Sequence, residues 1–183
     1  MSEEMLVCHC SPTLAGLKTG SLFSCPYSSQ KMIIKEIREF NQKLTQKGIR
    51  IIPVRISDKR MLVYVYRPEK LKEDFSDEKT QIILKCKGYD CTNLSQCICR
   101  LIQKLQSDPD FPHEIGLFLG YPAEDVKGFI ENKAACSQCS GCWKVYGDEQ
   151  AARILFKKYK KCTEIYCRRW KSGVAVEQLT ITI

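Results

Sequence analysis

Two apolar runs, IRIIPVRI (49–56) and MLVYVY (61–66), are separated only by Ser57-Asp58-Lys59-Arg60. β-branched and aromatic residues on either side of a turn-length gap specify a β-hairpin. Pro53 has no N–H to donate, so the first run belongs at a sheet edge or carries a bulge. Just upstream, Ile33, Ile37, Phe40 and Leu44 recur at spacings of four, three and four. They form one apolar helical stripe over 30–47, which Gly48 ends. A helix feeding a hairpin places the chain among folds that mix helix and sheet.

The rest of the chain interleaves the two kinds of element. Residues 4–9 are a short apolar run that predicts a first strand. Ser11-Pro12 then opens a short helix through Lys18, and the Gly/Ser/Pro-rich stretch 19–28 reads as a loop. Residues 77–87 and 93–106 predict two helices linked around Gly88, an antiparallel helical hairpin. A turn-rich break follows at 107–112, and HEIGLFL (113–119) predicts a strand. Gly120, Tyr121 and Pro122 lead into a helix with acids in its first turn, ending near Asn132. CWKVY (142–146) predicts a strand, Asp148 caps a helix to Trp170, and LTITI alternates as a strand does. The expected fold is α+β (α/β-like), a single domain over 1–183 with a mixed β-sheet, an edge hairpin and flanking helices. Within it the helical hairpin 77–106 is an insertion-like subregion.

The 183 residues include 12 cysteines and only 2 histidines. MSEEMLVCHC lacks the basic region of a secretory signal, and no apolar run approaches the ~18 residues of a membrane span. The expectation is a cytoplasmic protein in a reducing compartment, where thiols serve as metal ligands, reactive groups or core filler. Net charge is +8. Residues 31–72 carry 12 Lys or Arg against 4 acids, whereas 108–132 carry 6 acids against Lys127. A basic surface of this kind suits a small anionic ligand or an acidic protein partner. No RNA-binding aromatic motif or histidine-containing finger is present, so nucleic acid is not an expected partner.

Three places can carry chemistry. With Pro12 opening a helix, Cys10 lies just outside a helix N-terminus, where the thiolate is favoured. His113 is the later histidine of a candidate Cys10–His113 catalytic pair for thiol-dependent hydrolase or transferase chemistry. The second place is the strand–turn–helix corner 111–129. On a strand its neighbouring His113 and Glu114 point to opposite faces, and its single Gly120 does not make a nucleotide-binding loop. The third place is Cys136, Cys139 and Cys142, two CxxC steps that predict a loop wrapped around zinc or an iron–sulfur cluster. A fourth ligand would have to come from elsewhere.

HCSPTLAGLK (9–18), VYRP (65–68), FPHEIGLFLGYPAEDVKGFIENK (111–133), GCWKVYGD (141–148) and CTEIY (162–166) together resemble an uncharacterised family of small proteins. Its members come mostly from anaerobic Gram-positive bacteria and are known only as a domain of unknown function. The resemblance implies a cytosolic bacterial protein, and it points towards redox or iron physiology without supplying a reaction. Residues in the matching segments are His9, Cys10, Lys18, Arg67, His113, Glu114, Tyr121, Asp125, Trp143, Lys144 and Tyr146.

The functional expectation is one Cys/His pocket that binds a small anionic or metal-containing ligand. His9, Lys18, Arg67, Glu114, Tyr121, Lys144 and Tyr146 are its candidate ligand-binding residues, and Cys10 and His113 sit at its centre. The alternatives are the thiol enzyme above and a non-enzymatic module that docks an acidic redox partner.

Overall fold

The computed structural model describes residues 1–107 and 110–183. Residues 108 and 109, within the turn-rich break expected over 107–112, lie outside the described residues. The elements in order are α1 (Glu3–Leu14), β1 (Gly20–Pro26), α2 (Gln30–Leu44), β2 (Arg50–Ile56), β3 (Arg60–Tyr66), α3 (Pro68–Asp74), α4 (Glu78–Cys86) and α5 (Leu94–Ser107). They continue as α6 (Ile115–Phe118), α7 (Ala123–Asn132), β4 (Cys139–Ser140), β5 (Lys144–Val145), α8 (Glu149–Lys171) and α9 (Val176–Leu179). The fold is α+β. Its contacts divide the chain into unit one (Met1–Glu69 and Tyr159–Ile183) and unit two (Lys70–Lys158).

Unit one is built on a three-stranded antiparallel sheet in the order β1-β3-β2. The 49–66 hairpin forms as the residue types dictate. Pro53 meets both of its expectations, since β2 is an edge strand and its register shifts between Pro53 and Arg55. The sheet is antiparallel throughout rather than mixed. β1 occupies the expected loop 19–28, because the central strand β3 has a second edge to satisfy and the small residues of β1 fill it. α2 carries the expected stripe, with Ile33, Ile37 and Leu44 buried. A 3₁₀ turn at Thr45–Lys47 then runs into Gly48 at φ 75°.

The expected strand 4–9 is instead part of α1. Ser2 caps it, its hydroxyl accepting from Met5 N at 3.3 Å, with Glu3 and Glu4 in the first turn. Buried Leu6, Val7, Cys10 and Leu14 repeat at helical spacing. A run this short does not reveal its period unless its ends are recognised. Pro12 therefore lies in the last turn of a helix and does not begin one. Of the tail expected as a strand, Leu179 ends the helical turn α9 and the residues after it join neither sheet among the described residues.

Arg67, 2% exposed, fastens this unit. Its Nε donates to Thr13 O at 2.7 Å and its Nη2 to Leu14 O at 2.6 Å. Those are carbonyls at the C-terminal end of α1, which carries partial negative charge; Thr13 O also accepts from Gly16 N at 3.1 Å and Leu14 O from Ile181 N at 3.2 Å. Nη2 also donates to Ile181 O at 2.9 Å, and Nη1 to Lys47 O at 3.0 Å. One guanidinium thus ties α1, the end of the 3₁₀ turn and the C-terminal tail to the end of β3.

In unit two, α4 packs against α7. Both helices expected over 77–106 form, and the link between them folds back along α5. Cys97 Sγ donates to Asp90 O at 2.9 Å and Lys104 Nζ to Lys87 O at 2.8 Å. The expected strand 113–119 is a buried helical turn, α6, inside which a Cβ on Gly116 would stand 2.7 Å from Val126 Cγ2. An apolar run buried on all sides shows neither period clearly. Phe118 is its anchor, edge-on to Phe75 at 5.0 Å and tilted against Tyr89 at 5.5 Å. No helix among the described residues is long and apolar enough to cross a membrane.

Replacing Arg67 with Ala removes the guanidinium's bonds to carbonyls on three segments. The expected loss is about 3–5 kcal/mol of unfolding free energy. Arg67→Lys keeps the charge but not the fork, and should lose a smaller part of it. Urea denaturation followed by far-UV circular dichroism measures both, and a change under 1 kcal/mol for Arg67→Ala would remove the fastening role.

Candidate functional site: an aromatic cleft in unit two

Asp125 organises the site. Gly120 turns the chain at φ 76°, Pro122 precedes α7, and Asp125 falls in the first helical turn. At 3% exposure its carboxylate reaches no solvent of consequence. It accepts from Trp143 Nε1 at 2.7 Å, Tyr146 N at 2.7 Å and Gly147 N at 2.8 Å. One acid thereby holds the whole GCWKVYGD segment against α7. Gly128 completes the seat, since a Cβ there would lie 2.3 Å from the Tyr146 ring.

The segment held in this way forms one wall of a cleft of about 280 Å³. His113, Tyr121, Phe129, Cys142, Trp143 and Lys144 give it its character. Tyr121 and Trp143 stack at 4.6 Å, and Phe156 meets Trp143 edge-on at 4.6 Å. His113 lies edge-on to Phe129 at 4.8 Å. Tyr121 OH donates to Cys142 O at 3.4 Å. Among the described residues, neither the His113 ring nitrogens nor the Lys144 ammonium has a hydrogen bond or ion pair within the protein. The cleft therefore offers flat aromatic surface, an imidazole and an uncommitted cation.

His113 and Glu114 diverge as expected, although the backbone there is a turn into α6 and not a strand. His113 is exposed at the cleft, whereas Glu114 is buried. The Glu114 carboxylate accepts from Lys104 Nζ at 2.7 Å and Tyr89 OH at 3.1 Å, and the ammonium lies 4.8 Å from the Tyr89 ring centroid. Burial by itself raises the Glu114 pKa, but the Lys104 ammonium, the residue's own N–H and the Tyr89 hydroxyl outweigh it, and the net shift is downward. Burial and the Glu114 charge push Tyr89 up.

The remaining candidates lie in unit one. His9 is exposed and stacks on Phe23 at 5.0 Å. Lys18 is half-buried. Arg67 has its donors on backbone carbonyls. Cys10 is not beside a helix N-terminus; it lies inside α1, in the apolar core. Burial pushes its thiol up to about 12, against smaller lowering effects from the Lys18 charge and the Ser21 hydroxyl. The cleft thus gathers His113, Tyr121, Cys142 and Lys144, and Asp125 attaches Tyr146 behind it.

The expected wrapping loop of thiols is a small hairpin. Cys139 pairs with Val145 and Ser140 with Lys144, leaving Gly141, Cys142 and Trp143 at the tip. Gly141 is required there because a Cβ would fall 2.3 Å from the Phe156 ring. Cys136 and Cys142 are exposed and Cys139 half-buried. Among the described residues, no three His, Cys, Asp or Glu side chains gather as a metal-holding group.

Phe156, Lys104 and Tyr89 were not expected at a site, and Phe129 entered only as the end of the 111–129 corner. Asp125 reads from sequence as a first-turn helix acid. Its neighbours Gly120 and Gly128 are the available signal that the backbone here must admit a close partner.

Two outcomes follow from these environments. A carboxyl held below its unfolded value of about 4.3 contributes stability above that pH and loses it as pH falls through the folded value. Glu114→Gln should therefore cost about 3 kcal/mol at pH 7, the difference shrinking as pH falls below the unfolded value. Denaturant titrations across pH 3–7 check this, and a pH-independent difference would contradict it. In native protein at pH 8, iodoacetamide should label Cys10 at least about 100-fold more slowly than exposed Cys99. Peptide mass spectrometry reads this, and equal rates would show that Cys10 is open to solvent.

The family described as "Protein of unknown function (DUF3793)" matches residues 6–180. No curated protein and no solved structure matches the chain.

Proposed function

The chain belongs to the DUF3793 family, proteins of unknown function, and on that premise we propose that it binds a small planar organic anion in the cleft of unit two. The observation that carries this reading is the meeting of uncommitted His113 and Lys144 with the stacked Tyr121–Trp143 pair in one cavity of about 280 Å³. That size suits a small molecule, and small-molecule sites combine apolar walls with a few fixed polar groups. Lys144 supplies the charge that selects an anion, His113 a second polar contact at the rim, and the rings a face for a flat ligand. Cys142 is the thiol that lines this cleft with His113. Asp125 is a positioning residue: although it lines the cleft, its oxygens serve Trp143 and the backbone of Tyr146 and Gly147, so it sets the wall.

The test uses Trp143 fluorescence in a Trp170→Phe background, which leaves one of the two tryptophans. Benzoate is the probe and neutral benzamide its control. Saturable quenching by benzoate is expected, about tenfold weaker with benzamide and in Lys144→Met, a loss of ~1.4 kcal/mol. Equal responses to the acid and the amide, or no response to either, would overturn the reading.

A further inference from the structure

In unit one, Cys8 on α1 and Cys167 on α8 bring their sulfurs to 3.8 Å across 159 positions of sequence. Cys8 is exposed and Cys167 half-buried, and both are thiols outside any disulfide. The other thiols of this unit, Cys10, Cys25 and Cys162, are buried. A disulfide needs its sulfurs about 2.05 Å apart, so this pair must close by roughly 1.8 Å. Rotation about the two χ1 bonds moves a sulfur on that scale. Two thiols meet here from distant helices, one open to an incoming reagent and the other within reach behind it.

We propose that Cys8 and Cys167 are a dithiol modification site that is reversibly oxidised to a disulfide by exchange with a small-molecule disulfide such as oxidised glutathione. The exposed Cys8 is the entry thiol. As its thiolate it attacks one sulfur of the reagent, forming a mixed disulfide and expelling one glutathione thiolate, which takes up the proton Cys8 released. Cys167, as its thiolate, then attacks the Cys8 sulfur, forming the Cys8–Cys167 bond and expelling the second glutathione, which takes the second proton. Two electrons pass from the protein dithiol to the reagent, and two glutathione thiols leave. Burial, with the neighbouring Cys8, pushes the Cys167 thiol up, consistent with its acting second. The bond closes a loop of more than 150 residues, and long loops gain most from cross-linking. The oxidised form should melt at least about 5 °C higher than the reduced form.

The experiment equilibrates the full-length, fully reduced protein without oxygen against a series of oxidised-to-reduced glutathione ratios, followed by acid quench, alkylation and peptide mapping. The Cys8–Cys167 cross-linked peptide should appear at a lower ratio than glutathionylation of exposed Cys99, and dithiothreitol should reverse it. Cys167→Ser should instead accumulate glutathione on Cys8, and Cys8→Ser should abolish the cross-link; circular dichroism confirms that each variant folds. Glutathione on Cys8 of the wild type without pairing, at ratios that modify Cys99, would overturn the proposal. So would a Cys8 that stays reduced under those conditions.

Discussion

A buried charge answered largely by backbone groups holds each unit together. In unit one the charge is Arg67, whose guanidinium faces carbonyls of Thr13, Leu14, Lys47 and Ile181. In unit two it is Asp125, whose carboxylate faces two backbone N–H groups and the Trp143 indole. Such a charge is costly to strand and strong when fully bonded. It therefore dictates where the segments around it lie. The C-terminal tail, the end of α1 and the 3₁₀ turn have no sheet or long helix in common; one fork binds oxygens from all three, and Ile181 N to Leu14 O and Lys47 Nζ to Thr180 O add direct links. The short β4–β5 hairpin has too little ladder of its own to fix its position, and it is set by one acid.

The cleft is a consequence of that second arrangement. Asp125 draws the hairpin onto α7, which brings Trp143 against Tyr121 and Phe156 and leaves Lys144 beside the space in front of His113. Behind His113, Glu114 turns inward to Lys104 and Tyr89 and anchors the turn from which the imidazole projects. Binding chemistry and structural support thus occupy adjacent positions of one motif and face opposite ways.

Environment, more than spacing in the sequence, sorts the cysteines. Cys10 and Cys97 are core groups whose thiols burial pushes up, to about 12 and about 11. Cys139 is committed to a strand pair and Cys142 to the tip of a hairpin. The pairing of sulfurs on different helices at 3.8 Å, Cys8 with Cys167, joins residues that no local motif connects. Of the three closely spaced thiols Cys136, Cys139 and Cys142, only Cys139 lies in the β4–β5 ladder.

What the residues alone determined is what depends on neighbours in sequence. The α2 stripe, the 49–66 hairpin with its edge proline, the helix from Ala123 and the turn at Gly120 all follow from period, turn chemistry and the missing N–H of proline. The family likeness across 9–170 also marked the two segments, 111–133 and 141–148, that line the cleft. Tertiary structure decided the rest. α1 and α6 are short apolar runs whose helical state depends on what covers them, and β1 is a strand because β3 had an unpaired edge. His113 and Lys144 line one cleft because a single buried carboxylate chose its partners from a segment about twenty positions away; selection of that kind is made by burial and hydrogen-bond demand, which only the folded chain can express.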